Sequence, residues 1–219
     1  APLLISRVGQ DALGEQVLAS MRAQGLSLAG IQRDPQRETG VVQVHLQDGE
    51  PSYDILPQRA YDAIDPKGFP SLPEAGLLYH GSLALREPSN AEALAALRAR
   101  TTARVFLDVN LRNPWWQREQ LMALLAQADL VKLNEDELLE LAPETTDTHR
   151  HAQASGADTE ATILALVERL MLTYSLDLVL LTRGARGALA ITAEGTRAEV
   201  RPQADLKVVD AVGAGDGFA

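Results

Sequence analysis

The residues best equipped for chemistry lie at the end of the chain. There, Asp210-Ala-Val-Gly-Ala-Gly-Asp-Gly-Phe-Ala219 sets a carboxylate one step beyond a glycine-rich turn that follows an apolar strand. Gly213 and Gly215 let the backbone turn sharply. If residues 215–219 begin a helix, several unpaired N–H groups converge at its N-terminus, an arrangement that attracts anions. Asp216 then stands beside a bound phosphate as a base rather than as a phosphate ligand, which suits phosphoryl transfer to a hydroxyl. Two rival phosphate motifs are excluded by inspection. A P-loop needs Gly-Lys-Ser/Thr, which the chain lacks, and a dinucleotide fingerprint needs glycine where Phe218 stands.

The elements that must position this turn follow from the apolar pattern. Residues 2–8, 75–80, 104–109, 129–133 and 176–182 are short and rich in Val, Leu or Ile, as strands are. Between them run amphipathic stretches at 13–24, 90–100, 117–127, 135–141 and 159–174, with Asp11, Ser89 and Asp158 or Thr159 as N-caps. Strand alternating with helix at this spacing predicts an α/β fold with a mostly parallel central sheet and helices on both faces. One region breaks the alternation. Val42, Val44 and Leu46 alternate with Gln43, His45 and Gln47, then Asp48-Gly49 offers a turn and an extended pattern resumes over 52–56. This predicts a half-exposed β hairpin. Residues 144–158 are polar and read as a solvated loop. His149 and His151 within it lack a third nearby ligand and receive no metal role.

The 219 residues suit a single domain, 1–219, with enough chain to bury a substantial core. No cysteine is present, so disulfides and thiolate metal sites are excluded and a reducing compartment is compatible. A net charge of −10 argues against a surface that tracks nucleic acid. No apolar run is long enough to span a bilayer and no signal segment opens the sequence. The expected location is the cytoplasm.

The run Val208-Val-Asp-Ala-Val-Gly-Ala-Gly-Asp-Gly-Phe-Ala219 resembles the Asp-Thr-x-Gly-Ala-Gly-Asp signature of the ribokinase-like (PfkB) carbohydrate kinases, with Ala211 where threonine is usual. The resemblance extends through the chain in matching order. Val8-Gly-Gln-Asp-Ala-Leu-Gly14 looks like the family's first strand-to-helix segment. Thr39-Gly-Val41, Gly49-Glu-Pro-Ser-Tyr-Asp54 and Ala60-Tyr-Asp62 look like the lid of fructokinase-type members. Asp108-Val-Asn-Leu-Arg-Asn-Pro-Trp-Trp116 resembles the Asp-x-Asn-x-Arg stretch of the same branch. Lys132-Leu-Asn-Glu-Asp-Glu137 carries the Asn-x-x-Glu pattern, and Leu181-Thr-Arg-Gly-Ala-Arg-Gly187 the nucleotide-side turn.

The resemblance implies an ATP-dependent sugar kinase, with a ketohexose such as fructose favoured and 2-keto-3-deoxygluconate, ribose or a nucleoside as other acceptors. It makes Asp216 the catalytic base and the amides of Gly213, Ala214 and Gly215 the anion hole. It gives Thr182 and Gly184 to the nucleotide, and Asn134 and Glu137 to a hydrated Mg²⁺. It makes residues 36–62 a lid region that covers the sugar and pairs in a homodimer.

Several of these residues have a second reading. Asp108, Asn110 and Arg112 sit where a strand ends and can reach a sugar hydroxyl or a phosphate, while Arg112 can instead tie down the Asn113-Pro114 turn. Asn134 and Glu137 can equally form a helix cap. Tyr53 and Tyr61 can close over a sugar or bury their rings in the lid or a subunit contact. The Thr182-Arg-Gly184 turn would look much the same as a plain strand end. A catalytically silent sugar- or nucleotide-binding protein of the same fold is the alternative from another class. Family members open with a sugar-binding aspartate strand and continue past Gly-Ala-Gly-Asp, so the expectation is a chain truncated at both ends.

Overall fold

The computed structural model describes residues 2–47, 50–142 and 157–202. Gly213, Ala214, Gly215 and Asp216, the Asp48-Gly49 turn and both histidines of the 144–158 stretch lie outside the described residues. Contacts divide the chain into two compact units, one formed by Ala1–Ala75 with Ala84–Thr102 and the other by Gly76–Leu83 with Ala103–Ala219.

The first unit begins with β1 (Ser6–Gly9), α1 (Ala12–Ala23) and β2 (Ile31–Asp34), and β1 and β2 pair in parallel with Ser6 opposite Ile31. Asp11 caps α1 as the sequence predicts, accepting from the Gly14 N–H at 2.7 Å. Gly14, Leu18 and Met21 are buried at helical spacing. The hairpin forms as β3 (Val42–Gln47) against β4 (Glu50–Ile55), antiparallel, with Val42 opposite Ile55 and Val44 opposite Tyr53. A 3-10 turn at Ala60–Asp62 follows.

Helix α2 (Pro88–Arg98) completes the first unit and buries Asn90, Ala93, Leu94 and Leu97. Ser89 is not its cap. Pro88 occupies the first turn, where a missing N–H costs nothing, and Glu87 takes the cap position without a side-chain bond. The Ser89 hydroxyl donates instead to the Asp62 carbonyl at 3.1 Å.

The second unit is built on a six-stranded sheet in the order β10-β9-β8-β7-β6-β5. Strands β5 (Leu77–Gly81), β6 (Arg104–Asp108), β7 (Leu130–Asn134) and β8 (Leu178–Thr182) are mutually parallel. They are separated by α2, α3 (Arg118–Leu125), α4 (Glu135–Leu141) and α5 (Ala157–Tyr174). The mostly parallel sheet is the one expected. Two strands that the apolar pattern did not announce, β9 (Ala188–Thr192) and β10 (Arg197–Val200), extend it antiparallel. Gly187, at φ 90°, makes the turn into β9, and a Cβ there would overlap the Val200 carbonyl.

Leu107, Val109, Val131, Leu133, Val179 and Leu181 along the middle strands are fully buried, and Leu121, Leu125, Leu138 and Val167 of the helices join the same cluster. At about 1.5–3 kcal/mol per buried large aliphatic side chain, this cluster fixes the strand ends that carry the polar residues described next.

Candidate functional site

In the first unit the polar residues form a chain of contacts that starts at the end of β1. Asp11 Oδ1 accepts from the Thr39 hydroxyl at 2.7 Å, its Oδ2 accepts from the Thr39 N–H at 2.7 Å, and Thr39 Oγ1 accepts from the Gly9 N–H at 2.9 Å. One carboxylate and one hydroxyl thus pin the segment entering the hairpin onto the strand-to-helix turn. The Thr39 and Gly14 backbone N–H groups hold the Asp11 carboxyl below its ordinary range. At the end of β2, Asp34 is buried, which pushes its carboxyl up. The N–H groups of Arg37 and Gln36, at 2.9 and 2.8 Å, together with the charge of Arg7, outweigh burial and leave it below the ordinary range. Arg7 Nε lies 2.9 Å from Asp34 Oδ2 as an ion pair without hydrogen-bond alignment.

Of the two lid tyrosines, Tyr53 stands about half exposed on β4. Tyr61 is held on several sides. Its ring packs so closely on Gly40 that a Cβ at that position would overlap it. Its hydroxyl accepts from Arg86 Nη2 at 2.8 Å, and its carbonyl accepts from Asn90 Nδ2 at 2.7 Å. Burial raises the phenol above its ordinary value against the opposing charge of Arg86. Arg86 is the centre of this part of the unit. Its Nε and Nη2 grip the two carboxylate oxygens of fully buried Asp62 at 3.0 and 2.8 Å, and Nη2 also donates to the Leu56 carbonyl at 2.9 Å.

In the second unit the parallel strands bring Asp108, Asn134 and Thr182 to one edge, since Asp108 is in register with Lys132 and Asn134 with Thr182. This is the carboxyl edge, where open α/β sheets receive ligands. Asp108 does not present a free carboxylate there. It is 1% exposed, pairs with Lys132 Nζ at 2.8 Å through Oδ1, and accepts from the Tyr79 hydroxyl at 2.9 Å through Oδ2. Asn110 follows with φ 39°, a conformation asparagine tolerates. Arg112 is exposed, and its Nη1 donates to the Leu111 carbonyl at 3.3 Å.

Asn134 and Glu137 form a reciprocal capping box: Asn134 Oδ1 accepts from the Glu137 N–H and Glu137 Oε2 from the Asn134 N–H, each at 2.8 Å. Glu137 Oε1 accepts from the Leu111 N–H at 2.8 Å, so this buried carboxylate stitches the start of α4 to the loop that leaves β6. Direct coordination of Mg²⁺ does not fit these residues. Three of their side-chain oxygens face backbone donors, and among the described residues no group of three His, Cys, Asp or Glu side chains can hold a metal. What the box supplies is negative charge at the sheet edge, to which waters around a hydrated cation can donate.

Thr182 ends β8 with its hydroxyl 3.5 Å from the Leu133 carbonyl, and Gly184 turns the chain at φ 55°. Between them Arg183 is buried, paired with Glu160 at 3.0 Å and Glu199 at 2.7 Å. Arg186 pairs with Glu135, whose carboxyl burial raises while Arg186 and Arg183 pull it down.

The sequence pattern missed Arg86, Thr39, Lys132 and Arg183. Lys132 carried a signal, a lone cation inside the buried run Leu130-Val-Lys-Leu133, which demands a partner. Arg86 carried none, because Asp62, Tyr61 and Leu56, which it holds, lie 24 to 30 residues away.

A model of the family described as pfkB family carbohydrate kinase matches residues 2–219. Among curated relatives, the chain is 30% identical over 226 residues to a fructokinase of Escherichia coli, covering 98% of this chain and 67% of that protein. It is also 30% identical over 226 residues to the aminoimidazole riboside kinase of Salmonella typhimurium, covering 98% and 64%. Among solved structures, the fructokinase of Vibrio cholerae O395 with fructose, ADP and calcium bound matches at a TM-score of 0.74 and 25% identity, covering 98% of this chain and 67% of that one. The chain thus spans about two thirds of the length of these relatives. Among the described residues no helix is long and apolar enough to cross a membrane.

Proposed function

The chain belongs to the pfkB family of carbohydrate kinases, and from that membership we propose that the intact protein transfers the γ-phosphoryl group of ATP to a sugar hydroxyl, with a ketohexose such as fructose as acceptor. The observation that carries this reading is Gly213-Ala-Gly-Asp216, set within a family match that runs through residue 219. A binding protein has no use for a carboxylate beside an anion-binding turn.

In this reading the transition state is loose and the acceptor hydroxyl keeps its proton until late, so a weak base suffices. Asp216 is that base. The amides of Gly213, Ala214 and Gly215 are donors for the charge that develops on the transferred group. Thr182 and Gly184 contact the nucleotide, and Asn134 with Glu137 holds charge near a hydrated Mg²⁺, which supplies neutralisation of the phosphate oxygens when bound. Asn110 and Arg112 reach the substrate from the loop after β6, while Asp108 is held in its buried pair with Lys132. Tyr53 and Tyr61 face the sugar from the lid region 36–62, whose exposed Val42 and Val44 suit pairing in a homodimer.

A nucleoside-like acceptor is the second reading. It is favoured by the aminoimidazole riboside kinase, a relative as similar as the fructokinase. A coupled assay of ADP release from the full-length protein, with D-fructose, D-ribose, 2-keto-3-deoxygluconate and aminoimidazole riboside as acceptors, separates the two. Release with fructose alone supports the first, release with the riboside alone supports the second, and ATP binding without acceptor-dependent ADP refutes both.

A further inference from the structure

The Tyr61 hydroxyl is satisfied on one side only. A phenol has one proton to give and lone pairs to receive. Arg86 Nη2 donates to the oxygen at 2.8 Å, and among the described residues no group accepts the Tyr61 proton. The ring cannot swing away to find an acceptor. It packs on Gly40 with no room for a Cβ between them, and the Arg86 guanidinium stands 5.5 Å from its centroid.

Arg86 is itself fixed by more contacts than a structural tie requires. Its side chain is 3% exposed and Asp62's is 0% exposed, and two parallel bonds join them. The carbonyl of Leu56, just past β4, takes a further bond at 2.9 Å. Asn90 of α2 locks the same turn from its other side: its Nδ2 donates to the Tyr61 and Ala84 carbonyls, and its Oδ1 accepts from the Ile64 N–H. A planar guanidinium can hold a carboxylate and reach a phenol together, which a point ammonium cannot.

We propose that Arg86 is a positioning residue that acts through Tyr61: by filling the acceptor side of a ring locked between Gly40 and the Asp62 pair, it commits the Tyr61 O–H to donate outward, to a hydroxyl or ring oxygen of the acceptor sugar. This rests on the reading that Tyr61 faces the sugar. The ligand chemistry is a neutral polyol with an oxygen lone pair toward the ring. A phenol holds its proton at neutral pH, and burial raises this one further above its ordinary value.

The test is acceptor binding by calorimetry on the full-length protein, using whichever of the four acceptors above binds the wild type most tightly. Tyr61→Phe removes the proton and keeps the ring. Arg86→Lys keeps a charge for Asp62 and loses the reach to the phenol. Each single variant is expected to weaken binding about 2- to 10-fold, the worth of one net hydrogen bond. The double variant is expected to be no weaker than Tyr61→Phe alone, because Arg86 has nothing left to act through. Losses that multiply in the double variant would overturn the proposal, as would unchanged binding by Tyr61→Phe or by Arg86→Lys. A wild type that binds none of the four acceptors would overturn it too. Thermal unfolding of the same variants checks that Arg86→Lys is folded; if it is not, Arg86→Gln paired with Asp62→Asn takes its place in the cycle, with the same outcomes deciding. Turnover is measured separately, so acceptor binding without ADP release would sink the kinase reading and leave this one standing.

Discussion

Replacing Asp108 by asparagine separates two uses of that carboxylate. The side chains of Asp108 and Lys132 are 2% and 6% exposed and sit 2.8 Å apart, so the variant leaves an ammonium buried with no counter-charge. Breaking such a pair from one side costs about 3–5 kcal/mol. Asparagine still offers an oxygen to the Tyr79 hydroxyl, so that bond adds little to the loss. In a chain of this size each kcal/mol moves the midpoint about 2–4 °C, so the thermal midpoint of the full-length protein is expected to fall by about 6–20 °C. Adding Lys132→Met removes the stranded cation and is expected to return most of that loss, because an apolar pair of similar volume is often as stable as the ion pair. The assay is thermal unfolding of both variants followed by circular dichroism, with the acceptor KM read on the same preparations. A single variant that unfolds within about 2 °C of wild type while raising only the acceptor KM would refute the reasoning and return Asp108 to direct sugar contact. A double variant no better than the single would refute it as well.

Two further outcomes follow from the same geometry. Glu137→Gln gives up one of two oxygens that accept from the Leu111 and Asn134 N–H groups; one half-buried or exposed donor loses its partner, at a cost of about 0.5–1.5 kcal/mol, read as a shift in the urea midpoint. Asp11 and Asp34 both have carboxyls held below the ordinary range, so the stability they add is fully present above the unfolded aspartate value of about 3.9 and is lost as pH falls through their folded values. The gap in thermal midpoint between wild type and Asp11→Asn is therefore expected at pH 7 and should close in acid; a gap that persists unchanged at pH 2 would contradict it.

What the sequence made legible was whatever repeats locally. The buried parallel strands announced themselves because both faces are covered, which writes runs such as Val105-Phe-Leu107 and Val179-Leu-Leu181. The hairpin was legible from strict alternation. Strand β2 was not, since Ile31-Gln-Arg-Asp34 is three-quarters polar and is held by pairing with β1 rather than by its own pattern. The antiparallel β10 was hidden for a related reason: all four residues of Arg197–Val200 are exposed, so no apolar period marks them.

For the site, the capping box was readable because Asn134 and Glu137 are three residues apart. The Asp11–Thr39 clamp and the Arg86–Asp62 pair join residues 28 and 24 positions apart. Such contacts exist only once the chain has folded, and one sequence carries no trace of them. For Asp108 the trace was partial: Lys132, a lone cation in an apolar run, demanded a partner, but only the folded sheet sets it beside Asp108 on the neighbouring strand.

The most direct measurement of the central claim is sugar-dependent ADP release by the full-length protein and its Asp216→Asn variant, with acceptor binding determined alongside. Loss of a positioned base predicts a fall in kcat of about 10²–10⁴-fold with acceptor affinity largely retained. Turnover by Asp216→Asn close to that of the wild type would contradict the assignment.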